Sequence, residues 1–92
     1  MSGPERKKII MYYVYILKSK KLEKIYIGFT YDLKKRLIKH NSGYVLSTKP
    51  YVPWRLVYYE AFISNKDARR EELFLKTGKG RERIKYLLKN TK

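Results

Sequence analysis

Tyr15 and Tyr26 are the first residues of this chain whose types and settings could support chemistry. Tyr15 closes the triplet Tyr13-Val14-Tyr15, and Tyr26 opens Tyr26-Ile27-Gly28 eleven residues further on. Arg36 follows ten residues after Tyr26, and His40 comes four residues after Arg36. At helical spacing that pair lies on one stripe, so both side chains can reach one phosphate. Lys34, Lys35 and Lys39, elsewhere on the same segment, suit general contacts to a phosphate backbone. Gly28 stands inside an apolar, β-branched run. A glycine there costs stability, and it is tolerated where a ligand or another backbone comes close.

Short elements must position these residues. Met11 to Leu17 is β-branched and aromatic, the pattern of a buried strand, and Lys24 to Thr30 is a second strand. The charged link Lys18 to Glu23 is short enough for an antiparallel hairpin. Alternation puts Tyr13, Tyr15 and Leu17 on one face, Tyr12, Val14 and Ile16 on the other, and Tyr26 and Gly28 on a common face. In the register that the hairpin length suggests, Tyr15 and Tyr26 are cross-strand neighbours with hydroxyls side by side. Asp32 suits the N-cap of a helix running to about Ser42, with Gly43 in the left-handed closing position. Leu33 and Leu37 form its inner stripe, with Arg36 and His40 beside that stripe. Tyr44 to Pro53 reads as a loop with two prolines, and Trp54 to Phe62 as a third strand. Ser64 with Asp67 resembles a capping box opening a helix that Gly78 ends. Gly78-Lys79-Gly80 lacks the spacing of a phosphate loop and reads as a helix stop. A last basic helix spans about Arg81 to Lys89, with Ile84, Leu87 and Leu88 on its apolar side. The order is β-β-α-β-α-α. The expected fold is α+β, a three-stranded antiparallel sheet flanked by helices.

Ninety-two residues suffice for one modest core. Residues 1 to 10 combine turn formers and charge and are expected to form a flexible leader, with one domain over 11 to 92. Cysteine is absent, which removes disulfides, thiolate metal sites and a cysteine nucleophile together. The start lacks the apolar core of a signal peptide, and no apolar run approaches the roughly 20 residues of a membrane span. A cytoplasmic protein is expected, with no membrane partner. Twenty-three Lys and Arg against eight Asp and Glu give a formal charge of +15. Nucleic acid is the natural partner of such a field, because lysines and arginines release condensed counterions when they neutralise phosphates.

The ordered set of Tyr15, the Tyr26-Ile27-Gly28 triplet, Arg36, His40 and Glu72 resembles the GIY-YIG nuclease signature. The second motif is intact, while the first reads Tyr-Val-Tyr where the name-giving triplet has Gly-Ile-Tyr. The resemblance covers roughly residues 12 to 88, and it implies the same α+β fold. It also implies hydrolysis of a nucleic-acid phosphodiester, with DNA ahead of RNA as substrate. By that resemblance Tyr15, Tyr26, Arg36 and His40 are the catalytic set and Glu72 holds one divalent metal. Helical geometry alone does not choose between Glu71 and Glu72. The spacing of Ala68, Glu72 and Lys76 matches the family and favours Glu72. A carboxylate completed by water and phosphate oxygens suits Mg²⁺ or Mn²⁺. Lys76 and Arg55 join Lys34, Lys35 and Lys39 as expected nucleic-acid contacts, and Pro53-Trp54-Arg55 resembles the family stretch entering the third strand.

Free tyrosine has a pKa of about 10, so a phenolate near pH 7 needs neighbouring cations. A tyrosine can instead orient the water while His40 or a metal-bound hydroxide takes the proton. Both schemes remain open at the level of sequence. Many family members carry an asparagine in the helix after the glutamate; Arg83 to Leu88 has none, and Asn90 comes later. That departure points to the small stand-alone branch, in which a protein partner could supply specificity. The competing expectation is a non-catalytic nucleic-acid-binding module of the same fold, and the two differ at Glu72.

Overall fold

The computed structural model describes residues 9 to 92. The first eight residues of the expected leader lie outside them, while Ile9 and Ile10 are exposed and precede the first strand. Three strands, β1 (Tyr12–Ser19), β2 (Ile25–Thr30) and β3 (Trp54–Phe62), form an antiparallel sheet in the order β2-β1-β3. Strand β1 is central because its sequence is apolar on both faces. Val14, Tyr15, Ile16 and Leu17 are each no more than 1% exposed.

Helices cover the two faces of the sheet. On one face Val14, Ile16 and Ile27 pack with Ala68, Leu75 and Ile84, from α2 (Asn65–Leu75) and α3 (Gly78–Leu87). On the other, Tyr15, Leu17 and Trp54 pack with Leu33 and Leu37 of α1 (Leu33–Asn41). The alternation read from the sequence therefore holds, as does the α+β architecture. In the β1–β3 pairing the register shifts between Ile16 and Leu17, where Val57 is the extra residue.

The hairpin register differs from the expected one. Tyr15 pairs with Gly28 and Leu17 with Tyr26, so the two tyrosines are diagonal neighbours rather than directly opposite. The turn chemistry sets this register. The Ser19 hydroxyl accepts from the Lys21 and Leu22 backbone N–H groups at 3.1 and 3.0 Å, and Ser19 N–H donates to Lys24 O at 2.9 Å. A shift of two residues keeps every side chain on its face, and here it lays the Tyr15 ring over the Cα of Gly28. A Cβ added at Gly28 would collide with Cζ and the hydroxyl of Tyr15. The close approach that Gly28 allows is thus to a side chain of the protein itself.

Helix α1 starts at the expected cap, with the Asp32 carboxylate accepting from Lys35 N–H at 3.1 Å, and Gly43 closes it with φ of 83°. Helix α2 opens at Ser64, whose hydroxyl accepts from Asp67 N–H at 3.2 Å; the Asp67 carboxylate pairs with Arg70. Its end corrects the sequence reading. Helix α2 stops at Leu75 with Lys76 as C-cap, and Gly78 begins α3 instead of ending α2. Two contacts explain the change: Thr77 caps α3 by accepting from Gly80 N–H at 3.1 Å, and Gly80 is pressed onto the end of α2. A Cβ at Gly80 would overlap Phe74 O and Leu75 Cα. Helix α3 therefore runs over Gly78–Leu87 rather than Arg81 to Lys89.

Candidate active site

The α1 side of the sheet brings four of the expected residues together. Tyr15 points from the central strand toward α1, whose Leu33 and Leu37 anchor the helix and leave Arg36 and His40 at its flank. The Tyr15 hydroxyl lies 2.9 Å from His40 Nε2, and Arg36 Nε donates to it at 3.3 Å. His40 Nδ1 lies 2.9 Å from Thr48 Oγ1, and the Thr48 hydroxyl donates to Val45 O at 3.3 Å. With its proton directed to Val45, Thr48 accepts from Nδ1–H, so Nε2 is the acceptor for the Tyr15 hydroxyl. The result is one chain of donors from Arg36 through Tyr15 and His40 to Thr48. The Tyr26 ring closes over this chain, 4.9 Å from the His40 ring and 6.2 Å from that of Tyr15.

Burial sets the protonation states. His40 is fully buried, and desolvation followed by the Arg36 charge lowers its pKa to about 4, so it is a neutral imidazole at pH 7. Tyr15 is pushed up to about 12, because burial outweighs the Arg36 hydrogen bond that favours its phenolate. The hydrogen bond to Tyr15 raises the pKa of Arg36 further. His40 is therefore too deeply buried for the expected contact with a phosphate, whereas Arg36 borders open space. His40 is sealed by the segment leading to β3. Thr48 holds its ring, Trp54 Nε1–H donates to Thr48 O at 3.0 Å, and Asn41 exchanges two hydrogen bonds with the Trp54 backbone.

Where β2 ends, a cleft of about 430 Å³ opens beside this buried chain. Tyr26 and Arg36 form one wall, with Glu72 and Arg69 opposite them on α2. The Glu72 side chain is 12% exposed, and its two oxygens face Arg69 at 3.4 Å and Lys76 at 3.1 Å. Arg69 also stacks on Phe29 at 3.9 Å. Glu71 turns elsewhere. It faces Glu60 of β3, and its pKa is pushed up to about 7 by burial and then by the Glu60 hydrogen bond and charge, against the pull of Arg83. Glu60 Oε1 is buried with no hydrogen-bond partner among the described residues, and the Tyr58 hydroxyl also faces this carboxylate. Of the two adjacent acids, Glu72 alone lines the cleft.

The basic residues divide in the same way. Lys35 and Lys39 line a smaller recess with Arg36, next to the cleft, and Lys76 reaches Glu72. Lys34 is exposed on α1, whereas Arg55 lies on β3 and bonds the Lys92 carbonyl. Asn90 follows α3 and lines a shallow depression with Tyr86 and Thr91, away from the cleft. Two contributors escape sequence reasoning. Arg69 carried a usable signal in its spacing three residues before Glu72. Thr48 carried none, because its contact depends on how the loop folds back over α1.

Comparison with known proteins agrees with this fold. Residues 11–85 match the family model of the GIY-YIG catalytic domain. The UPF0213 protein in ldhD 5'region of Pediococcus acidilactici is 40% identical over 70 residues, covering 72% of this chain and 70% of the relative. UPF0213 protein SSP2268 of Staphylococcus saprophyticus is 36% identical over 77 residues, covering 83% of this chain and 93% of the relative. The solution NMR structure of UPF0213 protein BH0048 from Bacillus halodurans aligns with a TM-score of 0.53 at 36% identity, over 85% of both chains.

Proposed function

This chain belongs to the GIY-YIG catalytic domain family, and we propose on that footing that it is a divalent-metal-dependent endonuclease acting in the cytoplasm on DNA. The observation that carries this reading is the shared cleft of Tyr26, Arg36 and Glu72, set in a surface of +15 charge. Arg36 has the geometry to take a phosphoryl oxygen, since its guanidinium borders the cleft while its Nε is committed to Tyr15. Tyr26 is the phenol that water can reach, and its role is to orient the attacking water toward phosphorus. Tyr15 keeps its proton, and the neutral His40 that accepts its hydrogen bond holds that phenol in place. Glu72 is the carboxylate that lines the cleft, and a carboxylate completed by water and phosphate oxygens would suit a hard cation, which would displace Arg69 and Lys76 from its two oxygens. When bound there, Mg²⁺ or Mn²⁺ would supply positive charge at the phosphate. Lys35, Lys39 and Lys76 add sequence-independent phosphate contacts.

The test is incubation of labelled single-stranded, duplex and branched oligonucleotides with Mg²⁺, with Mn²⁺ and with chelator. Cleavage is expected with metal and not with chelator. Glu72→Gln should lower it by orders of magnitude while binding is kept or tightened, because a repulsive charge is gone. Glu71→Gln is the control, since it fixes in neutral form a carboxyl already half protonated near pH 7. An essential Glu71 with a dispensable Glu72 would reverse the assignment. Binding without cleavage of any substrate would leave a nucleic-acid-binding module.

A further inference from the structure

A second cavity, of about 650 Å³, lies between the start of β2 and the flank of α3. Its floor is apolar, formed by Ile25, Ile84 and Leu88. Its rim carries Lys18, Lys24, Arg81 and Lys85 against a single acid, Glu23. The Lys24 ammonium sits over the Tyr51 ring at 5.1 Å. Among the described residues, no ion pair engages Lys18, Arg81 or Lys85. The ion pairs of the described residues all lie on α2 and its C-cap, away from these three cations. Arg81, Lys85 and Leu88 recur at helical spacing and present one face of α3 to the cavity.

Strand β2 connects this cavity to the catalytic cleft. Ile25 borders the one, while Tyr26, Phe29 and Thr30 of the same edge strand border the other. We propose that Lys18, Arg81 and Lys85 form a second phosphate subsite, which holds the substrate backbone beyond the bond that is cut. The inference rests on the nucleic-acid reading above and adds the direction in which the strand leaves the cleft, along β2 toward α3. Such contacts fix register and carry no base information.

The test is a triple reversal, Lys18→Glu, Arg81→Glu and Lys85→Glu, compared with Lys66→Glu, Lys79→Glu and Lys89→Glu, which makes the same charge change at exposed positions outside the cavity. Fluorescence anisotropy with a labelled duplex of about 16 base pairs reads binding as salt is raised. The cavity triple should bind at least tenfold more weakly than the control triple near 0.1 M salt. Its log-log salt slope should be smaller by about 1 to 2, as one or two phosphate contacts disappear. Equal affinity and equal slope for the two triples would overturn the subsite. If the wild type cuts nothing but the cavity triple still loses binding, the subsite stands and the nuclease reading falls. Glutamine versions of both triples give the same comparison if reversal unfolds the protein, and melting curves of each variant establish that it is folded.

Discussion

At pH 7 His40 has no charge to offer a phosphate, because burial and the neighbouring Arg36 hold its pKa near 4. The unfolded chain takes up that proton near pH 6.5. Between about pH 6.5 and 4 the folded state refuses a proton that the unfolded state accepts, so stability falls as pH falls through that window. The shift corresponds to at most roughly 3 to 4 kcal/mol, at ~1.4 kcal/mol per pKa unit. Glu71 acts in the opposite direction. Its folded pKa near 7 lies above the ordinary carboxyl value, so the folded chain keeps a proton that the unfolded chain has lost, and stability rises as pH falls from 7 toward 4.5. The two dependences offset each other in the wild type and separate in the variants. In Glu71→Gln, urea unfolding should show stability rising with pH between 4 and 6.5. In His40→Gln it should fall with pH between 4.5 and 7. Parallel pH profiles for the two variants would refute both assignments.

At the scale of elements, three glycines give three different expectations. Gly28→Ala should cost about 1 to 3 kcal/mol, because the new methyl meets the Tyr15 ring. In a Tyr15→Ala background most of that cost should vanish, a coupling that a double-mutant cycle of unfolding free energies measures. Gly80→Ala should be at least as damaging, since its obstacles are the Phe74 carbonyl and Leu75 Cα, which cannot swing aside. Gly78→Ala meets nothing within 4 Å and should stabilise by about 0.4 to 1 kcal/mol through the unfolded chain. These contrasts also mark what the sequence could reveal. The strands, α1 and the opening of α2 were legible because strand alternation and the caps at Asp32 and Ser64 are local signals. The α2–α3 junction was misread because Gly78 is a common helix stop, and only the packing of Gly80 on Leu75 shows why the chain bends earlier. The hairpin register was misread for a related reason, since loop length alone does not reveal that Ser19 ties the turn. The ordered Tyr15, Tyr26, Arg36, His40 and Glu72 set was visible as spacing. That His40 would be sealed under Thr48 and Trp54 was not.

For the whole molecule, the charge of +15 sets how binding responds to salt. With roughly five phosphates neutralised on duplex DNA, the slope of log affinity against log salt should be near −4 to −5. A flat response in anisotropy titrations would exclude a polyanion partner. The same charge bears on the open sheet. With the order β2-β1-β3, both outer strands have no further strand paired to their edges among the described residues, and such edges invite pairing between copies. Mutual repulsion keeps copies apart at low ionic strength, and its reach shrinks from about 10 Å at 0.1 M salt to about 3 Å at 1 M. Light scattering at fixed protein concentration should therefore rise with salt, the reverse of ordinary salting-in, and charge-reversed variants should cross that threshold at lower salt than the wild type. Colloidal stability and attraction for polyanions would then have one source in the +15 charge, and a polyanion bound in sufficient length would both occupy the surface and remove the repulsion between sheet edges.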